Sequence, residues 1–206
     1  MIRVPPTTGW GDLTDDQRAM LDGVGTAARG LLGASLVVDR GDGRVAAEIT
    51  EVEAYGGGLD PAAHSYRGPS ARNAATFGPP WHAYVYRHLG IHTCFNVVVG
   101  DEGVPSAVLI RAARIVDGVG FARERRAARG RTRSDADLAA GPARLTVALG
   151  IDIADTGSPL DGSAGILLTP RAGAEPPVSV GPRIGVGSAV DYPLRFWVTS
   201  DLTVSR

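Results

Sequence analysis

The tetrapeptide Arg40-Gly41-Asp42-Gly43 reads as a hairpin turn between two strand-like runs, residues 34–39 and 44–55. A hairpin so early in the chain commits it to a sheet. The chain carries 28 glycines and 14 prolines, so many turns and modest helix content are expected. Further strands are expected at 83–86, 93–99, 107–116 and 194–199, with the tail otherwise strand and loop. Helices are expected from Thr14 to about Leu32, over 120–128, and from Gly141-Pro142 to Leu149-Gly150. Thr14 and Gln17 have capping-box spacing, and Asp15 and Asp16 suit the positive end of the first helix dipole. Residues 56–80 are a long Gly-, Pro-, Ser- and Asn-rich loop, of the kind that carries function. No repeat or linker is visible, and one domain over 1–206 is expected.

The charge distribution narrows the chemistry. Net charge is −1, yet residues 64–96 hold no Asp or Glu. They carry all four histidines, Arg67, Arg72 and Arg87, and six aromatic rings. Directly upstream lies Glu51-Val52-Glu53-Ala54-Tyr55, with both carboxylates two apart and so on one strand face. Cations meet phosphates, rings meet bases, and a carboxylate can activate water. Glu53, on a strand beside aromatic residues, fits a partly desolvated general base; the alternative is an exposed strand residue or an ion-pair partner. Tyr55, His64 and Tyr86 form either an aromatic sandwich or ordinary core. Eight arginines fall from Arg111 to Arg133, and six of them, Arg123, Arg125, Arg126, Arg129, Arg131 and Arg133, either contact phosphates or coat a solvated helix face. Gly185-Val186-Gly187 resembles part of a phosphate loop but lacks a preceding strand, a following helix and a lysine.

Several classes are excluded. The chain has no lysine, so a Schiff base on a lysine amine is impossible. The spacing of His82, His88 and His92 matches no standard zinc pattern, and neither metal nor cofactor is expected. Cys94 stands alone, which fits a reducing cytoplasm. No apolar run reaches a membrane span, and Met1–Pro6 lacks the apolar core of a signal peptide.

The ordered set of segments resembles the alkyladenine (3-methyladenine) DNA glycosylase family. It comprises Glu51–Tyr55, Asp60–Gly68, Arg72-Asn73, Tyr84–Tyr86, Cys94–Asn96, Val108–Ala112, Gly141–Leu145, Arg183–Gly187 and Pro193–Phe196. The resemblance covers roughly residues 20–200. It implies a mixed α+β domain with a curved antiparallel β-sheet flanked by helices. It also implies an enzyme acting on double-stranded DNA, possible as a monomer in the cytoplasm, or at the nucleoid in a bacterium, and the missing lysine predicts that it is monofunctional. The damaged purine would be flipped out of the duplex and hydrolysed from its sugar. By position Glu53 matches the general base, and Arg111 and the main-chain carbonyl of Ile184 match the groups holding the attacking water. Tyr55 and His64 match one stacking wall, Tyr86 the other, and Asn96 the residue crowding the amine of normal guanine. Leu89 stands where the family usually has a wedging tyrosine. Ile91 and His92 of the same turn, with Arg72, are the remaining candidate DNA contacts. Two alternatives stay open: a noncatalytic nucleic-acid-binding domain, and a hydrolase of free nucleosides.

Overall fold

The computed structural model describes residues 13–205; the reading of Met1–Pro6 lies outside them. Helix α1 (Asp15–Gly30) starts on the expected capping box. Thr14 Oγ1 accepts from the Gln17 N–H at 3.2 Å, and Gln17 Oε1 accepts from the Thr14 N–H at 2.9 Å. The helix ends at Gly30, two residues short of the expected Leu32; Leu31 and Leu32 are buried in the turn that follows, which Gly33 completes at φ 78°.

The chain then builds β1 (Ser35–Arg40), β2 (Gly43–Tyr55), β3 (Ala83–His88), β4 (His92–Val98) and β5 (Ala107–Asp117). Helices α2 (Val119–Ala127) and α3 (Pro142–Leu149) follow, then three four-residue strands, β6 (Ile166–Thr169), β7 (Val178–Gly181) and β8 (Arg195–Val198). All pairings are antiparallel, and the eight strands form one curled sheet, a half-barrel. Its main path runs β3-β4-β5-β2-β1-β6, while β8 pairs with β2 and β7. The mixed α+β, curved-sheet expectation therefore holds. β7 does precede Gly185-Val186-Gly187, contrary to the sequence reading, but no helix follows it.

Strand β2 is the axis of the fold. It pairs with β5 along most of its length, with β1 from Gly43 to Glu48, and with β8 from Glu51 to Glu53. Register shifts against β5 flank Glu51, and such bulges bend a strand and re-aim its side chains. One side of β2 supplies core through Val45, Ala47, Ile49, Val52 and Ala54. These pack with Phe95, Val97, Val108 and Ile110 from β4 and β5, and with Leu21, Val24 and Ala28 from α1. α3 closes over β4 and β5, and α2 packs on α3 and β2. The sheet's other face is left to carry polar side chains. Among the described residues no helix is long and apolar enough to cross a membrane.

Candidate active site

Register brings the functional side chains together. Tyr84 lies opposite Asn96, Asn96 opposite Leu109, and Leu109 opposite Glu53. Directly opposed residues project from the same face, so four strands present one row. Tyr86, Arg111 and Tyr55 lie two residues along their strands from members of that row, and join the same face.

Glu53 is fully buried. Its Oε1 accepts from the Ile184 N–H at 2.7 Å and pairs with Arg111 Nη1 at 3.1 Å. Its Oε2 accepts from the Tyr55 hydroxyl at 2.8 Å. A carboxylate offers about four lone-pair positions. Three are used, and the one left is on Oε2. The exposed-strand reading of Glu53 is thereby excluded. The contact to Ile184 uses its N–H, not the carbonyl that the resemblance assigned to the water. Burial disfavours the Arg111 charge, but Glu53 and Glu51 outweigh it and raise its pKa, so it stays cationic. Burial and the Glu53 charge push the Tyr55 hydroxyl well up, so it remains a donor.

Glu51, also fully buried, has a different environment. Its Oε1 accepts from Arg111 Nε at 2.9 Å, Arg195 Nε at 2.7 Å and Ser205 Oγ at 3.0 Å. Its Oε2 accepts from the Ser205 N–H at 2.6 Å. Glu51 thus takes four donors to the three on Glu53, and it is not joined to the cavity wall as Glu53 is through the Tyr55 hydroxyl. Glu51 instead holds Arg111 through Nε, while Glu53 takes Nη1, and ties Ser205 to β2 and β8.

A second buried pair backs the site. Arg183 and Asp60 are both fully buried and bidentate, with Nη2 to Oδ1 at 2.8 Å and a shorter Nη1–Oδ2 contact. Arg183 also donates to the Ala54 carbonyl at 2.9 Å and sits 4.7 Å from the Tyr55 ring centroid. It thus fixes Tyr55 from behind and places its neighbour Ile184 on Glu53.

In front of Tyr55 opens a cavity of about 160 Å³, with His64, Tyr84, Tyr86, Asn96 and Gly185 in its lining. Glu53 lies behind its wall, joined to it through the Tyr55 hydroxyl. Asn96 is buried, its Nδ2 donating to the Tyr84 carbonyl at 2.9 Å. His64 Nδ1 and the Tyr84 hydroxyl share a hydrogen bond of 2.9 Å. Partial burial and Arg72 lower the His64 pKa, so the ring is neutral at pH 7. Burial pushes Tyr84 up to about 12 and Tyr86 higher still, so both phenols keep their protons.

The expected sandwich is not preformed. A base stacked between His64 and Tyr86 needs about 7 Å between the rings, two contacts of ~3.5 Å. Here the centroids are 4.5 Å apart and the planes cross at 81°, so the rings meet edge to face. Tyr86 stacks instead on Tyr84, 5.5 Å away at 26°. Arg72 is exposed, with its guanidinium carbon 5.7 Å from the Tyr86 centroid.

Leu89 stands apart at the tip of the β3–β4 hairpin. It is 79% exposed and Ile91 72% exposed, beside an exposed His92. Leu89 (φ 50°) and Gly90 (φ 73°) are both left-handed, as a type I′ turn requires, and the Ile91 N–H donates to the His88 carbonyl at 3.1 Å. The turn thus presents an apolar side chain to solvent at a conformational cost of order 1 kcal/mol.

Sequence reasoning named Glu53, Arg111, Ile184, Tyr55, His64, Tyr86 and Asn96, and the fold gathers all seven around one cavity and its back wall. It assigned no role to Glu51, Asp60, Arg183, Arg195 or Tyr84. One signal was available: a charged residue inside a largely apolar strand or turn has to find a partner if it is buried.

The Methylpurine-DNA glycosylase (MPG) family model matches residues 19–202. Proteins named "Putative 3-methyladenine DNA glycosylase" are similar along most of the chain. The one from Leifsonia xyli subsp. xyli is 48% identical over 180 residues, covering 85% of this chain and 84% of its own. That from Rhodopseudomonas palustris (strain HaA2) is 51% identical over 176 residues, covering 85% and 82%. That from Methanoculleus marisnigri is 46% identical over 188 residues, covering 88% and 93%.

Proposed function

This chain belongs to the methylpurine-DNA glycosylase family, and from that premise we propose how it excises alkylated purines from DNA. It is a hydrolase of the N-glycosidic bond, of the 3-methyladenine DNA glycosylase type, serving base excision repair. The observation that carries the mechanism is the environment of Glu53: buried, held by three donors, with one lone pair left on Oε2.

The damaged nucleotide leaves the duplex and its base enters the cavity beside Tyr86. Its entry turns the His64 ring away from Tyr86, which opens the slot that is closed in the free protein. Extrusion costs a few kcal/mol and is cheapest for a damaged or mismatched base. Asn96 meets the edge of the base and disfavours the exocyclic amine of normal guanine. A water held near Arg111 and the Ile184 carbonyl attacks C1′ while Glu53 Oε2 takes its proton. The N-glycosidic bond breaks and its electron pair passes to the purine. In 3-methyladenine or 7-methylguanine that pair neutralises a positive charge already present, so no strong acid is needed. A free-nucleoside hydrolase has no use for an exposed apolar residue on a strained turn, and a mere binder has none for a buried carboxylate with an open lone pair.

With no lysine in the chain, the abasic sugar has no lysine amine to form a Schiff base. The test is a labelled duplex carrying 7-methylguanine, incubated with chelator present. Base release is expected with the strand intact until hot alkali is added. Scission without alkali overturns the monofunctional reading, and absence of base release overturns the glycosylase.

Leu89 serves as the wedge that fills the gap left by the flipped base, as apolar side chains do in other bent duplexes. Leu89→Gly relieves the left-handed strain and so leaves folding intact. It is expected to weaken capture of the flipped nucleotide by about tenfold or more, since burying a leucine is worth roughly 1.5–3 kcal/mol. Stopped-flow fluorescence of a base analogue beside the lesion measures this, and an unchanged flipping equilibrium removes Leu89 from the mechanism.

A further inference from the structure

Beside the β3–β4 hairpin lies a groove of about 1070 Å³, walled by the hairpin, α2, α3 and the turns that follow them. Seven arginines line it against two aspartates, Asp42 and Asp152. Three are committed: Arg40 to Asp155 at 2.7 Å, Arg125 to Asp42 at 2.5 Å, and Arg144 to Asp137. Arg87, Arg129 and Arg131 are exposed, and none has a side-chain hydrogen bond or ion pair among the described residues.

The seventh, Arg126, is 6% exposed, and its Nε is buried without a hydrogen-bond partner. Burial and the neighbouring Arg144 charge lower its pKa, and Asp137 only partly offsets them. Buried polar groups are nearly always satisfied. Arg126 lines the groove with no ion-pair partner among the described residues, so its charge is available to an anion there.

Two features identify that anion. No tyrosine, phenylalanine or tryptophan lines the groove and His92 is the one ring beside seven arginines, so it favours phosphate over bases, and guanidinium forks match phosphate oxygens. The groove also shares Gly90, Ile91 and His92 with the hairpin tip, so a duplex that receives Leu89 continues along it. We propose that this groove is a second DNA contact, in which a backbone phosphate flanking the lesion seats on Arg126 and its neighbours on Arg87, Arg129 and Arg131. The proposal rests on the glycosylase reading. It gives the basic segment after β5 the role of setting affinity and position on the duplex, separate from base recognition in the aromatic cavity.

Salt dependence tests it. Each phosphate contact contributes about 0.9 to the slope of log K against log salt concentration. Arg126→Met removes the orphaned charge while filling its volume. The variant is expected to lose about one unit of slope on a short duplex carrying a stable abasic-site analogue, and to bind about fivefold more weakly at ~0.15 M salt. Arg129→Ala, on the exposed rim, is expected to lose a similar increment and decides the matter should the buried substitution unfold the protein. Inorganic phosphate at constant ionic strength separates the sources. If it raises the melting temperature of the parent protein but not of Arg126→Met, while the DNA slopes coincide, the site holds a small free anion and the proposal is wrong. Unchanged slopes in both variants, with base release normal in the parent protein, overturn the groove alone. A parent protein that binds the duplex but releases no 7-methylguanine overturns the glycosylase reading instead.

Discussion

Glu53→Gln is expected to lower the single-turnover rate of base release by about 100- to 10,000-fold while leaving duplex binding near that of the parent protein. The range is that of a positioned general base. Glutamine keeps the shape and still accepts from the Ile184 N–H or the Tyr55 hydroxyl, so the cavity wall stays in place. Arg111 keeps its contacts with Glu51 and Ser205, which also limits the cost to folding. What is lost is the acceptor on Oε2 and the negative charge beside the developing positive charge on the sugar. Lesions should differ in sensitivity. A cationic leaving group such as 7-methylguanine departs with less help from the water, so its loss falls at the low end of the range. A neutral lesion falls at the high end. Rapid-quench assays at saturating protein, on both lesions, separate this from weakened binding. Full activity in the variant would sink the base role and return Glu53 to a structural ion pair.

Much of this site was legible because its groups are local in sequence or fixed by short-range rules. The capping box placed α1, and the Gly-Asp-Gly turn placed β1 against β2. Alternation along β2 put Glu51 and Glu53 on one face, and the hairpin at Leu89-Gly90 followed from its turn. What stayed hidden depends on contacts between distant parts of the chain. Glu51 and Glu53 look equivalent in sequence, and only the donors around them, from Arg195 and Ser205 on one and Ile184 and Tyr55 on the other, tie the first to β8 and Ser205 and the second to the cavity wall. The arginines of α2 read as one run, either phosphate contacts or a solvated face, yet Arg123 and Arg125 are tied to Asp135 and Asp42 and Arg126 is buried. The three four-residue strands near the end were read only as strand and loop, apart from β8. Such short segments carry too few residues to show a period and are held by register against β1 and β2. The closed His64–Tyr86 slot belongs to this class as well, since it depends on the loop between β2 and β3 rather than on either ring.

The same distinction between local pattern and distant contact makes Asp60→Ala the largest stability change to expect, about 3–5 kcal/mol of destabilisation. That is the usual cost of removing one member of a buried ion pair, because the other charge is left uncompensated. Both side chains are fully shielded from solvent, so screening by water or salt gives little relief. Asp60 also accepts from the N–H groups of Gly56 and Ala62 at 3.1 Å each, so the turn after β2 loses its anchor. At roughly 2–4 °C per kcal/mol for a chain of this size, the melting temperature should fall by about 6–20 °C. A simple loss of packing would give a similar fall, so the double variant decides. In Asp60→Leu with Arg183→Met both charges are gone, and replacing a buried pair by apolar groups is often neutral or stabilising. The double variant should therefore melt above Asp60→Ala. Its activity should nonetheless remain low, because Arg183 braces Tyr55 and positions Ile184 on Glu53. Stability regained without activity regained identifies the pair as the support that aims the catalytic carboxylate. A single variant melting within a degree of the parent protein shows instead that Arg183 finds another anion or reaches water, and removes the pair from both accounts.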